Sequence, residues 1–314
     1  MTGPGHAFTV TLVADVAVPA RRAALARALA AAGATAGAVT TRSAAAPEVL
    51  AVAVEVAAGG EPARARARAL RRHLLAALGD GVDVAVVPAA LAAPGPRLLV
   101  ADMDSTLITI EVIDELARHH GVGEEVAAIT ARAMQGELDF EASLRARVAR
   151  LAGLDAAVLD RLAAELPLTP GATTLVRGLH RDGGFAAVVS GGFTFATTAL
   201  AARLGLDHAH ANTLEIVAGR LTGGLVEPVV TPARKAELVD ELAAHHGLAA
   251  GRVIAVGDGA NDLLMFERAG LGVAFHAKPR VAAAADTALG GGGLERVLYL
   301  LGWTGEALAA LAAG

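Results

Sequence analysis

Short apolar runs alternate along this chain with longer stretches in which apolar residues recur every three or four positions. Residues 8–13, Phe-Thr-Val-Thr-Leu-Val, read as a strand because β-branched and apolar residues nearly alternate. Residues 21–32 carry Ala and Leu at helical spacing and close at Gly33, a natural helix-ending residue. Strands are expected at about 35–42 and 49–56, a second helix over about 62–78 ending near Gly79, and a further strand at 82–87. The order β-α-β-β-α-β is that of the ferredoxin-like unit. Pro88, Pro94, Gly95 and Pro96 then break the pattern. A linker is expected there, dividing an α+β domain over 1–92 from a second domain over 93–314.

Beyond the prolines the pattern changes. Residues 97–101, 186–189 and 253–256 are continuous apolar runs, as in strands buried on both faces of a parallel sheet. Helical patterns separate them, so this part reads as α/β and doubly wound. Each run delivers polar residues at its carboxyl end: Asp102, Ser190 and Gly257-Asp258. That edge is where open α/β sheets bind ligands. The stretch between the first two runs, about 113–167, is almost wholly helical and too long for a simple crossover. It reads as a small helical cap inserted over the edge.

Composition narrows the function classes. Apolar residues make up 54% of the 314 residues, and charged residues 19%. Much of the apolar share is alanine, a strong helix former. No uninterrupted apolar run reaches bilayer length and the start lacks a signal-peptide pattern, so a cytoplasmic protein without membrane partners is expected. The absence of cysteine excludes disulfides, thiolate catalysis and cysteine-ligated metals. A net charge of -5 argues against a nucleic-acid partner. Arginine supplies nearly all the basic groups, so the two lysines, Lys235 and Lys278, draw attention.

The polar strand ends form a coherent chemical set. Asp102 and Asp104 stand two residues apart, and a locally extended backbone would point both the same way. One carboxylate can attack phosphorus while the other gives and takes a proton. A cation must then neutralise the repulsion between carboxylate and phosphate. Asp102 and Asp258, with a backbone carbonyl and waters, make an oxygen-only site suited to Mg2+. Ser190-Gly191-Gly192 offers a hydroxyl and closely approachable amides for phosphoryl oxygens, and Lys235 a point charge. His119-His120 and His245-His246 are adjacent pairs outside any ligand motif and read as solvated helix positions.

Asp102-Met-Asp-Ser-Thr, Ser190-Gly-Gly, Lys235 and Gly257-Asp-Gly-Ala-Asn-Asp262, in this order, resemble the haloacid dehalogenase (HAD) superfamily and, within it, the phosphoserine phosphatases. The likeness covers about 97–302. It extends to Glu111, Met134-Gln-Gly, Phe140-Glu-x-Ser-Leu-Arg-x-Arg147, Ala211-Asn212 and Gly219-Arg-Leu-Thr-Gly223. It implies hydrolysis of phosphoserine through an aspartyl-phosphate. Asp102 would be the nucleophile, Asp104 the acid and base, and Asp102, Asp258 and the Asp104 carbonyl the magnesium ligands. Asp262 would orient a metal-bound water, and Ser190, Gly191, Lys235 and Asn261 would hold the phosphoryl group. Glu111 would take the substrate ammonium and Arg147 its carboxylate, with Met134 and Phe140 as an apolar wall. A phosphotransferase passing the group to another alcohol such as homoserine, or a phosphatase of another small phosphomonoester, is the alternative. The first domain resembles an ACT module, which implies an amino-acid effector such as serine; a structural or dimerising role is the competing reading, and a homodimer is expected.

Overall fold

A computed structural model describes residues 5–18, 20–57 and 59–313. The N-terminal part runs β1 (His6–Ala14), α1 (Arg21–Ala31), β2 (Thr35–Ala36), β3 (Thr40–Ser43), β4 (Glu48–Val56), α2 (Ala63–Leu78) and β5 (Asp83–Pro88). Its antiparallel sheet has the order β2-β4-β1-β5, with β3 also paired to β4. The strand expected over 35–42 is thus two short strands on one neighbour. Gly37 donates its amide to the Ala53 carbonyl at 2.9 Å, and the chain leaves the ladder before rejoining at Thr40.

Alternation along β1 sorts its side chains between two cores. Phe8, Val10 and Leu12 face Leu25, Leu29, Leu70 and Leu74 of the two helices. Val13, with Val49, Ala85 and Val87, joins instead the large core shared with the rest of the chain.

The prolines do not produce a free linker. Ala89–Ala92 form a single helical turn, α3, and Leu91 is fully buried. The turn exposes carbonyls that two arginines take up. Buried Arg97 donates to the oxygens of Leu91 and Ala93 at 2.8 and 2.7 Å, and Arg252 donates to those of Ala90 and Pro96. A backbone segment this close to a core needs such partners.

The second part continues with β6 (Leu98–Ala101), then α4 (Val112–His120), α5 (Gly123–Met134), α6 (Phe140–Ala149) and α7 (Ala157–Glu165), which form the expected helical insertion. Next come α8 (Ala172–Arg181), β7 (Phe185–Phe193), α9 (Thr194–Leu204), β8 (His208–Val217), β9 (Arg220–Val226) and α10 (Pro232–His245). The chain closes with β10 (Val253–Gly257), α11 (Leu263–Arg268), β11 (Leu271–Phe275), α12 (Pro279–Ala284), β12 (Thr287–Leu289), α13 (Arg296–Leu300) and α14 (Gly305–Ala313). The sheet order is β12-β11-β10-β6-β7-β8-β9, parallel except for β9.

Three central strands show why this sheet is wound on both sides. Leu99 and Ala101, Ala186 and Val188, and Ile254 and Val256 face one core with α4, α8 and α13. Their alternates Leu98 and Val100, Ala187 and Val189, and Val253 and Ala255 face the other, with α10 and α11. A strand with an apolar partner layer on each face has no polar alternate positions, hence the unbroken runs.

The β8–β9 hairpin reaches past the sheet to the insertion. Gly153 donates to the Leu221 carbonyl at 2.8 Å, Leu221 returns a bond to Leu154 at 2.9 Å, and Ala156 donates to Gly219 at 2.9 Å. Arg145 of α6 adds an ion pair to Glu227 at 2.6 Å. No helix among the described residues is long and apolar enough to cross a membrane.

Candidate active site

The carboxyl ends of β6, β7 and β10 converge on one cavity of about 180 Å3. Asp102, Asp104, Ser190, Gly191, Asp258 and Asn261 line it from the sheet, and Glu111, Phe140 and Arg147 from the insertion. Ile113, Leu144, Gly192 and Phe193 complete the wall.

Asp102 is 4% exposed and directly follows β6, its amide bonded to the Val256 carbonyl of the neighbouring strand at 2.9 Å. The backbone after it does not stay extended throughout. Asp104 has φ -64° and ψ 135°, then Ser105 turns left-handed at φ 54°. The turn still brings both carboxyls to the cavity. Asp102 accepts from the Met103 amide at 2.7 Å and from Asn261 Nδ2 at 3.2 Å, and Asp104 from the Val112 amide at 2.8 Å.

Lys235 reaches the site from the opposite side. Thr231 caps α10 by accepting from the Arg234 amide at 3.2 Å, and Pro232 occupies the first turn. This start signal fixes the register that places Lys235 inward, only 1% exposed. Its Nζ lies 2.8 Å from an oxygen of Asp102 and 2.8 Å from one of Asp262. Asp262 also accepts from the Gly259 amide at 3.0 Å. The lysine lies beneath the cavity floor and does not line the cavity.

Carboxylate oxygens of Asp102, Asp258 and Asp262 lie within 4.8 Å of one another. One ammonium cannot neutralise this set. Burial would lower the Lys235 pKa, but the charges of Asp102 and Asp262 outweigh it and hold the group above the ordinary lysine value. Burial, and then the Asp102 charge, raise Asp258 to about 6. Burial, and then Glu111, raise Asp104 well above the usual carboxylate range. Glu111 itself is pushed up to about 7, chiefly by burial and then by the charges of Asp258 and Asp102, against its bond from Ser105. Clustered, partly desolvated oxygens carrying excess negative charge are the donor set of a divalent cation.

The Ser-Gly-Gly segment is shaped by close approach. A methyl group at Gly191 would lie 2.6 Å from Phe140 Cζ, and one at Gly192 would lie 2.6 Å from Asp104 Oδ2. Glycine at both positions lets the strand end press against the insertion and the acid pair. Ser190 Oγ accepts from the Gly192 amide at 2.8 Å.

Met134 is the one expected wall residue that does not line this cavity. It ends α5, 68% exposed, and lines a wider opening of about 1040 Å3 whose wall also includes Arg147, Asp258 and Asn261. Phe140 lines both spaces. Two polar residues without an expected role support the site. Thr106, fully buried, donates to Asp258 Oδ1 at 3.2 Å. Asn212, also fully buried, donates to the Gly191 carbonyl at 2.8 Å and accepts from the Val230 amide at 2.6 Å, tying the glycine segment to the approach to α10.

Residues 99–267 match the model of the haloacid dehalogenase-like hydrolases, and the chain belongs to that family. It is 58% identical over 226 residues to a phosphoserine phosphatase of Streptomyces coelicolor, a match covering 72% of this chain and 55% of that protein. Its fold resembles the crystal structure of a HAD family hydrolase from Salmonella enterica serovar Typhi, with TM-score 0.79, 32% identity and coverage of 94% and 98%. It also resembles the unliganded structure of a probable phosphoserine phosphatase from Vibrio cholerae, with TM-score 0.71, 37% identity and coverage of 97% and 88%. The chain spans between about half and two thirds of the length of the curated relatives it matches most strongly.

Proposed function

We propose that this protein hydrolyses O-phosphoserine to serine and phosphate, with Asp102 as nucleophile and Mg2+ as the cation of the acidic set. The observation that carries this reading is that one cavity gathers two sets of groups. The sheet supplies nucleophile, acid and phosphoryl donors, and Glu111 and Arg147 supply a carboxylate and a guanidinium suited to an amino acid's two charges. The name shared by the similar enzymes supports the same substrate.

The chemistry follows from the groups present. The Asp102 carboxylate attacks phosphorus, and the P–O bond to the serine oxygen breaks. Asp104, whose pKa is raised by burial and then by Glu111, gives that oxygen its proton. Water, deprotonated in turn by Asp104, then attacks the aspartyl-phosphate, releasing phosphate and restoring both acids. Asp102, Asp258 and the Asp104 carbonyl would hold the Mg2+, with Asp262 orienting its water; the ion supplies charge neutralisation at the phosphoryl oxygens. Ser190, the Gly191 amide and Asn261 donate to those oxygens, and Lys235 fixes the charge and position of Asp102 from below.

Phosphate release from phosphoserine, measured with Mg2+ and after chelation, tests the reading; turnover that survives chelation would overturn the metal assignment. Product analysis with homoserine present separates hydrolysis from transfer. Arg147 makes no salt bridge among the described residues, and its only side-chain bond is to the Ser143 carbonyl at 3.4 Å. Its guanidinium is therefore available to a substrate carboxylate. Arg147→Ala is expected to raise KM for phosphoserine by about 10–100-fold, a charged hydrogen bond's worth, with a much smaller change for phosphoethanolamine, which lacks the carboxylate. Equal losses on both substrates would remove the assignment.

Residues 1–92 are proposed to form an ACT-like domain that binds an amino-acid effector in a cytoplasmic homodimer, a reading supported by the strand order β2-β4-β1-β5. Calorimetric titration of the full chain with serine tests this. One site per chain outside the active site, retained in Arg147→Ala, is expected, and no heat beyond the active site would overturn it.

A further inference from the structure

The large sheet carries a second cluster of ligating side chains at its amino-end edge, away from the acidic site. His208 opens β8, while His245 ends α10 and His246 follows directly. Neighbours in a continuous helix point apart. Here the helix stops: His246 has φ -91° and ψ 5°, and Gly247 turns left-handed at φ 64°. Both rings therefore meet His208, contrary to their reading as separate solvated positions.

One nitrogen from each of His208, His245 and His246 lies within 4.8 Å of the other two, and the Nε2 atoms of His208 and His246 are 2.8 Å apart. The three rings stand at 67°, 88° and 89° to one another, with centroids 4.9 to 5.3 Å apart. They meet edge-on and do not stack. Phe185 stacks on His246 at 3.6 Å and 17°, fixing that ring's plane.

We propose that His208, His245 and His246 bind a divalent transition-metal ion of the zinc class, at a site separate from the acidic one. Imidazole nitrogen suits zinc, nickel, copper and cobalt, whereas magnesium prefers the oxygens at the other edge. A tetrahedral ion with metal–nitrogen bonds of about 2.0–2.1 Å sets its ligand nitrogens about 3.3 Å apart. The His208–His246 pair then opens by about half an ångström and His245 closes in, movements within reach because His245 is exposed and the other two rings are half-buried. Three protein ligands leave a fourth position to water. The ion would join the start of β8 to the end of α10, the helix whose first turn carries Lys235.

The test uses the tag-free full chain saturated with Mg2+, titrated with Co2+ alone and separately with Zn2+ alone. One Co2+ per chain with intense tetrahedral visible bands, displaced by Zn2+, is expected, together with a Zn2+-dependent rise in melting temperature. His208→Gln and the exposed His245→Gln should each weaken Co2+ binding by about 10–100-fold or more, while Asp258→Asn leaves the bands in place. Circular dichroism confirms that the variants are folded; exposed His245 keeps the comparison valid if His208→Gln is not. Three results would overturn the site: no Co2+ bound beyond the acidic set, bands indifferent to the His245 substitution, or bands lost in Asp258→Asn. Each would leave a histidine pair joined only by a hydrogen bond.

Discussion

Asp102→Asn should abolish phosphoserine turnover while leaving the fold intact. An amide has no negative oxygen to attack phosphorus, so no covalent intermediate forms, and the loss in kcat/KM should be at least about 10³-fold. The substitution keeps the shape and one acceptor oxygen, which can take the bonds from Lys235 and Asn261 while the amide nitrogen replaces the oxygen that accepts from Met103. Stopped assays with purified variant and wild type, alongside thermal melts, decide it. Retention of even a tenth of the wild-type rate would place the nucleophile elsewhere.

Lys235→Ala should damage stability and catalysis together. The lysine is the cation between two buried carboxylates, and removing one member of such a set costs about 3–5 kcal/mol because the remaining charges stay desolvated. The melting temperature should fall by several degrees or more, and turnover should fall with it. Lys235→Met separates the two causes: it restores most of the volume but not the charge, so packing loss predicts recovery and charge loss does not. Added Mg2+ should recover part of the melting temperature in either variant, because a divalent cation also neutralises Asp102. A melt unchanged by Lys235→Ala would refute the electrostatic role.

The same lysine shows how far the residues spoke for themselves. On α10 the buried side chains are Lys235, Ala236, Leu238, Val239, Leu242 and Ala243. Lys235 thus occupies the first place of an i, i+3, i+4, i+7 apolar stripe, where a solvated lysine has no business. Strands β6, β7 and β10 were legible because burial on both faces removes polar alternates. Strand β8 was not: its half-exposed alternation over His208–Val217 resembles a loop until its partner strands are known. The acid pair, the glycines and Asp258 could be read from strand ends. Thr106 and Asn212 could not be assigned a task, because their partners lie 152 and 18 to 21 residues away along the chain. Met134 lines the wider opening and not the inner cavity, a distinction helical spacing cannot make because it does not say how far the end of α5 stands from the sheet edge.

The scarcity of lysine has a practical use. Of the two, Lys235 is sealed beneath the carboxylates, while Lys278 is exposed at the rim of the wide opening between insertion and sheet. Amine-directed dyes should therefore tag this rim, besides the α-amine of the chain, and spare the buried ammonium. A fluorophore placed there stands where helices of the insertion approach the sheet edge, and its emission would report that approach in real time without any engineered cysteine.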